Sequence, residues 1–269
     1  MDINPGKVKY WMHPKIENWE DFRNTVTEVC EVLSQAVEHK ENGVRVCSVD
    51  EKPGIQALER LNPDLPSCPG KIATREFEYK RHGTQTLFGN LDVATGEVLC
   101  PKIEETRGEE DFVKNIENLI ASDSESGWIF ITDQLNTHYS ASLVEFVASK
   151  IGYEGDLGRK KKYGILKNIE SRKEFLLNKT HKIRFLYTPK HCSWLNPIEV
   201  WFSGLSKRLL LRGNFTSKED LKTNILSYIN YYNKYLKKAY KFGLRTKEQI
   251  DKTLEKIAEA LRVIGREII

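Results

Sequence analysis

Apolar positions along this chain follow two periods. Phe22, Val26, Val29, Leu33 and Ala36 recur at steps of four and three, which predicts an amphipathic helix over 19–39. Glu20 and Asp21 stand at its start, where a helix dipole favours acids, and "EHKENG" after it reads as a linker. "VRVCSVD" (44–50) and "GWIFITD" (127–133) are short, nearly continuous apolar runs, each closed by an aspartate, as expected of buried strands. Between them, 53–82 reads as irregular and rich in Pro and Gly, and 84–103 as a β-hairpin turning at Ala94, Thr95 and Gly96. Residues 109–122 space Phe112, Ile116, Leu119 and Ile120 as a helix face.

Further along, 140–151 predicts a helix and 182–189 a strand. Residues 152–168, with four glycines and a basic cluster, read as an inserted, mobile loop. From Pro197 the stripe Ile198, Phe202, Leu205 and Leu209 predicts another helix. Residues 216–236 follow with a capping box from Ser217 to Asp220, burying Leu221, Ile225, Tyr228 and Ile229. A last amphipathic helix covers 246–264. This order suits an α/β fold, a mixed sheet with helices on both faces.

Composition narrows the class. Of 269 residues, 39% are hydrophobic and 30% charged, which is ordinary for a globular chain with a sizeable core and excludes a disordered one. No apolar run approaches a membrane span, and "MDINPGKVKYWMHP" lacks the apolar stretch of a signal peptide. Five scattered cysteines without a CxxC pair point to a reducing cytoplasm and away from a zinc site. The net charge of +4 hides an asymmetry: residues 1–149 carry −11, 150–215 carry +10 and 216–269 carry +5. A basic second half suits a polyanion such as nucleic acid, although a solvated lysine-rich surface gives the same count.

The two strand-end aspartates carry the chemistry. If 44–50 and 127–133 pair in parallel, Asp50 and Asp133 share the carboxyl edge of the sheet, where open α/β sheets place their sites. Side by side they would repel unless a cation such as Mg²⁺ lay between them. Glu199 can complete the set. It lies roughly 90° from the centre of its helix's buried stripe at ~100° per residue, and in the first turn. Each acid alone has a structural alternative: Asp50 and Asp133 as turn formers, Glu199 as a cap residue after N-cap Asn196 and Pro197. Together they leave a two-metal phosphoryl-transfer site and a structural role open.

"CSVDEKPGIQALER" (47–60), "RHGTQTLFGNLDVATGEV" (81–98), "ITDQLNTH" (131–138) and "YTPKHCSWLNPIEVWFSGLSKRLLLRGNFTSKEDL" (187–221) occur in that order. They resemble the DDE transposases of bacterial insertion sequences in the mariner superfamily. The resemblance implies a ribonuclease H-like fold whose catalytic, metal-binding triad is Asp50, Asp133 and Glu199, holding two Mg²⁺ or Mn²⁺ ions. It also implies DNA as partner, a bacterial cytoplasm near the nucleoid, and a homodimer, for which helix 19–39 offers a face unless it packs on its own core.

Three departures stand out. Gln134 follows the second aspartate where many members have Asn. The 65 residues between Asp133 and Glu199 exceed the spacing of the shorter members, with an insertion at about 152–181. The usual N-terminal helix-turn-helix modules have no counterpart in the 49 residues before Asp50, so end recognition is expected from a separate DNA-binding protein. The expected division is an N-terminal helical linker (1–43), a catalytic domain (44–245) and a C-terminal helix (246–269).

Around the triad, Lys190, His191 and Trp194 are candidates for phosphate contact or base stacking, and Arg159, Lys160, Lys161 and Lys162 for a DNA-backbone clamp or a solvated loop. Arg208 and Arg212 are further candidates for DNA contact, Trp201 reads as core, and His138 either leans on Asp133 or is a satisfied structural histidine. Two alternatives to an active transposase remain: a repurposed domain that binds DNA or a partner, and a host-system nuclease without strand transfer.

Overall fold

The structure is a computed structural model and describes residues 16, 18–241 and 246–263. The opening stretch, the junction 242–245 and the last six residues of the expected C-terminal helix lie outside the described residues. Five strands form one mixed sheet in the order β3-β2-β1-β4-β5: β1 Val44–Arg60, β2 Tyr79–Asp92, β3 Lys102–Glu104, β4 Gly127–Thr132 and β5 Ile183–Tyr187. β1 pairs antiparallel with β2 and parallel with β4, and β4 pairs parallel with β5.

Strand alternation divides the core. On one face Cys47, Val49, Trp128, Phe130, Phe185 and Tyr187 pack under α3 Glu109–Ser122, α4 Ala141–Ile151 and α5 Ile169–Leu177. On the other, Val46, Ile129, Ile131 and Leu186 pack under α1 Trp19–Ser34, α2 Ala36–Glu41 and α8 Lys247–Val263. That face continues over β1 and β2, where Ile55, Ala57, Leu87 and Leu91 meet α6 Pro197–Leu205 and α7 Lys218–Tyr231. The apolar face of α1 is therefore spent on its own core, with α8 held to it by an Arg23–Asp251 ion pair of 2.9 Å.

Three expectations need correction, and one helix was not expected. Residues 53–82 are not irregular throughout, because β1 runs on to Arg60 and β2 begins at Tyr79. The register shift between Lys52 and Ile55, with Gly54 at φ +67°, breaks the alternation that would have marked the strand. The helix over 19–39 is two helices broken at Gln35, and most of the expected linker is α2. The insertion at about 152–181 holds more than the 152–168 loop: after it comes α5, whose Phe175 and Leu176 are buried in the main core beside Leu166. Ser217 does cap α7, but the Asp220 carboxylate accepts from Thr216 rather than closing a box onto Ser217.

One glycine is dictated by the approach of α6. Gly89 pairs across the sheet with Asp50, and a Cβ there would meet the Phe202 ring at 2.6 Å. A side chain at 89 would push α6, and with it Glu199, off the sheet edge. No helix among the described residues is long and apolar enough to cross a membrane.

Candidate active site

Parallel pairing of β1 with β4 brings Asp50 and Asp133 to the same edge, since Ser48 and Ile131 are register partners. Asp50 is buried at 8% exposure. Its Oδ1 accepts from the Glu51 backbone N–H at 2.8 Å, and its Oδ2 accepts from Asn196 Nδ2 at 2.9 Å. Burial first, and then the charges of Asp133, Glu51 and Glu199, push its carboxyl up to about 8. The fold has gathered four acids into one field.

Asn196 precedes α6 as expected, but its side chain caps nothing. The cap comes from β1: Ser48 Oγ accepts from the Ile198 N–H at 2.9 Å, while the same hydroxyl donates to Asn196 Oδ1 at 2.5 Å. Ser48 and Asp50 lie two apart on one strand and so point to one face, and both are tied to the start of the helix that carries Glu199. Glu199 is exposed in that first turn. Burial raises its carboxyl, nearby Lys52 lowers it, and Asp133 raises it again. Lys52, next along the Asp50 face, also stands 6.0 Å over the Phe202 ring.

Asp133 takes the opposite shift. Burial alone would raise its carboxyl, but the hydrogen bond and charge of His138 hold it low, helped by the Leu135 N–H and the charge of Arg107. His138 is fully buried, with Nδ1 2.8 Å from Asp133 Oδ1 and Nε2 3.2 Å from Glu51 Oε1. Burial would depress the imidazole, yet those two carboxylates raise it to about 10. It thus leans on the second acid, and it is satisfied, with its ring against Phe112 at 4.1 Å. Glu51, Lys52, Ser48 and Arg107 were not singled out in the sequence. The alternation Asp50-Glu51-Lys52 in a strand was the available signal: one acid on each face, and a lysine beside the first.

Because β5 runs parallel to β4, the loop after it delivers Lys190, His191 and Trp194 to the same edge. Lys190 and His191 are exposed, His191 takes a left-handed φ of +63°, and Trp194 is 38% exposed, whereas Trp201 is core at 7%. Arg159, Lys160, Lys161 and Lys162 form an exposed turn closed by Arg159–Tyr163 backbone pairing. Its Lys160 acts on Glu109, whose carboxyl is held low against its burial by Ser142 and by the Lys160 and Arg172 charges. Arg208 sits elsewhere: it lines a cavity of about 490 Å³ walled by Trp201, Tyr228 and Tyr232, with none of the three acids in its wall. Arg212 is exposed on the turn that follows.

Among the described residues, no three His, Cys, Asp or Glu side chains converge as a set able to hold one ion. The donor chemistry nevertheless fits hard cations: three carboxylates at one edge, with the central one driven toward its neutral form first by burial and then by the neighbouring negative charges.

Comparison with known proteins bears on the family and the fold. Residues 45–222 match the family model described as DDE superfamily endonuclease. The chain belongs to the DDE endonuclease superfamily. As a DDE-type enzyme it shares its fold with solved transposase structures. One is a pre-cleavage Mos1 transpososome (15% identity, 98% of this chain and 68% of that one, TM-score 0.51). Others are the Mos1 mariner paired end complex with Mn (16%, 98% and 68%, TM-score 0.53) and the Mos1 strand transfer complex (16%, 98% and 68%, TM-score 0.50). No curated protein sequence matches significantly. The five cysteines are all free.

Proposed function

We propose that this DDE enzyme is the catalytic domain of a transposase in the bacterial insertion-sequence branch of the mariner superfamily. It cuts and joins DNA phosphodiesters with two Mg²⁺ or Mn²⁺ ions. The observation that carries the reading is that parallel β1 and β4 bring the buried Asp50 and Asp133 to one sheet edge beside Glu199, with the Asp50 carboxyl raised first by burial and then by the charges of Asp133, Glu51 and Glu199. Asp50, Asp133 and Glu199 would together hold the ions. When bound, such ions supply Lewis-acid activation of the attacking oxygen and charge stabilisation of the leaving oxygen.

The chain's own residues prepare that edge. His138 keeps Asp133 ionised and fixes its orientation, Asn196 fixes one oxygen of Asp50, and Lys52 offsets part of the charge on Glu199. The Arg159–Lys162 turn and the Lys190–Trp194 loop would lie along the DNA backbone. Phosphate contacts of this kind fix position and carry no sequence information, so target choice is assigned to a separate DNA-binding protein. A second copy of the chain is the proposed partner in end pairing. The 61–78 connection exposes Leu61, Leu65, Ile72 and Phe77, an apolar set suited to burial in a dimer.

A supercoiled-plasmid assay with Mg²⁺ or Mn²⁺ tests the reading. Wild type should nick, and Asp50→Ala, Asp133→Ala and Glu199→Gln should each fall to background while remaining folded. Nicking by Asp50→Ala at the wild-type rate would sink the reading. Nicking without joining of labelled ends to a target plasmid would reduce the function to a nuclease, and an inactive wild type would leave a binding domain.

A further inference from the structure

A cavity of about 370 Å³, with none of the three acids in its wall, opens between the start of α1, helix α5 and the loop after β5. Its size falls within the range of roughly 300–1,000 Å³ that small-ligand sites occupy. Gln134, the neighbour of Asp133, forms part of its wall and ties it to that edge by donating to the Thr188 carbonyl at 3.0 Å. Lys173 from α5 and Lys190 from the loop also line it. Lys173 lies along the ring of the buried Tyr187, with Nζ 6.0 Å from the centroid.

Two features make this pair unusual. The described residues give neither lysine a carboxylate within ion-pair reach. Glu28, on the α1 wall, is already engaged by Lys179 at 2.9 Å and Arg184 at 3.7 Å, and Asp21 stands on that same wall. Burial first, and then the Lys190 charge, hold the Lys173 ammonium below its usual value. Among the described residues two like charges face one cavity, Glu28 is already paired and Asp21 lies in ion-pair reach of neither lysine, so an anion entering between them is favourable. A phosphate supplies that charge, and a DNA strand passing Asp133 would carry one to this position.

We infer that Lys173 and Lys190 form a cradle for a backbone phosphate of the DNA strand that runs past Asp133, with the inserted helix α5 supplying one side. The inference rests on the proposed DNA-cutting function and gives the insertion a role in it. Lys173 is a binding residue here: it holds the strand, and it does not touch the reacting atoms.

The test is a salt titration of binding to a short fluorescein-labelled duplex, made in EDTA with the full chain. Lys173→Met should weaken binding several-fold, equally for any duplex sequence, and lower the slope of log K against log[salt] by about one. Lys190→Gln should do the same, Lys173→Arg should restore the wild-type slope, and Lys173→Met should melt no lower than wild type. An unchanged slope in folded Lys173→Met overturns the cradle, as does a slope loss that Lys173→Arg fails to restore. Inorganic phosphate and a deoxynucleoside monophosphate provide the second arm. If either raises the wild-type Tm but not that of Lys173→Met, while the DNA slope is unchanged, the cradle takes free phosphate and the DNA assignment falls. Since the titration omits metal, it separates from the nicking assay: slope loss beside an inactive wild type keeps the cradle and removes the catalytic reading, and the converse result does the reverse.

Discussion

Asp50 shows what the site costs the metal-free fold. A carboxyl raised to about 8 in the folded state, against an ordinary value of 3.8, holds its proton longer when folded than when unfolded. Stability from this group is therefore greatest below the unfolded value and declines as the pH rises toward the folded one. By pH 8 that stability is largely gone, because ionising the buried carboxyl opposes folding and the charges of Asp133, Glu51 and Glu199 add to the repulsion. Asp50→Asn keeps the shape and removes the charge, so in EDTA at pH 8 it should raise stability by about 1–2 kcal/mol, roughly 2–8 °C in Tm. The same variant should not nick. A Tm below wild type in EDTA would mean that the field at this edge is not the repulsive one described. The Glu51 backbone belongs in the same accounting: its N–H donation to Asp50 Oδ1 lowers the carboxyl, though not enough to offset burial.

Among the elements, α5 most changes the view of the chain. An insertion that were only a loop would tolerate truncation of any one side chain within it. Leu176 is fully buried against β5 and α4, so Leu176→Ala should cost about 2–5 kcal/mol, measured by urea unfolding. A loss under roughly 0.5 kcal/mol, ordinary for a surface position, would return the segment to the status of a loop. The sequence hid this helix because only Phe175 and Leu176 of its nine residues are buried, too few to set a period. β4 and β5 were legible because continuous apolar runs are what a strand covered on both faces requires. The second half of β1 was not, because the bulge at Pro53 and Gly54 interrupts the alternation. The three acids could be found because two close strands and one opens a helix. Asn196 could not, since Asn before Pro at a helix start already has a local explanation, and its true partner lies 146 residues away. Lys173 was invisible for a similar reason, being one lysine in a charged helix whose significance depends on a loop from another strand.

At the scale of the whole molecule, acid and base are segregated along the chain and folding brings them to one edge. The acidic first part, at −11 over residues 1–149, supplies Asp50, Glu51 and Asp133, while the basic stretch 150–215, at +10, supplies Lys173 and Lys190 beside Gln134. Metal-free stability should carry the mark of this arrangement. Asp50 loses stability as the pH rises from about 4 to about 8. His138, raised to about 10 against an ordinary 6.5, contributes stability that is fully present below 6.5 and is lost as the pH rises through 10. The two windows overlap and have the same sign, so in EDTA the Tm should fall steadily from pH 6 to pH 9. Mg²⁺ should oppose the fall, because its affinity grows as the carboxylates give up protons and its binding adds RT ln(1 + [L]/Kd) to folding. The gap between the Mg²⁺ and EDTA melting curves should therefore widen with pH. In Asp50→Asn the EDTA curve should flatten, keeping only the part owed to His138, and the gap should shrink. A wild-type Tm that is constant or rises from pH 6 to pH 9 in EDTA would show that neither group carries the charge state assigned to it, and the case for a cation at this edge would lose its electrostatic basis.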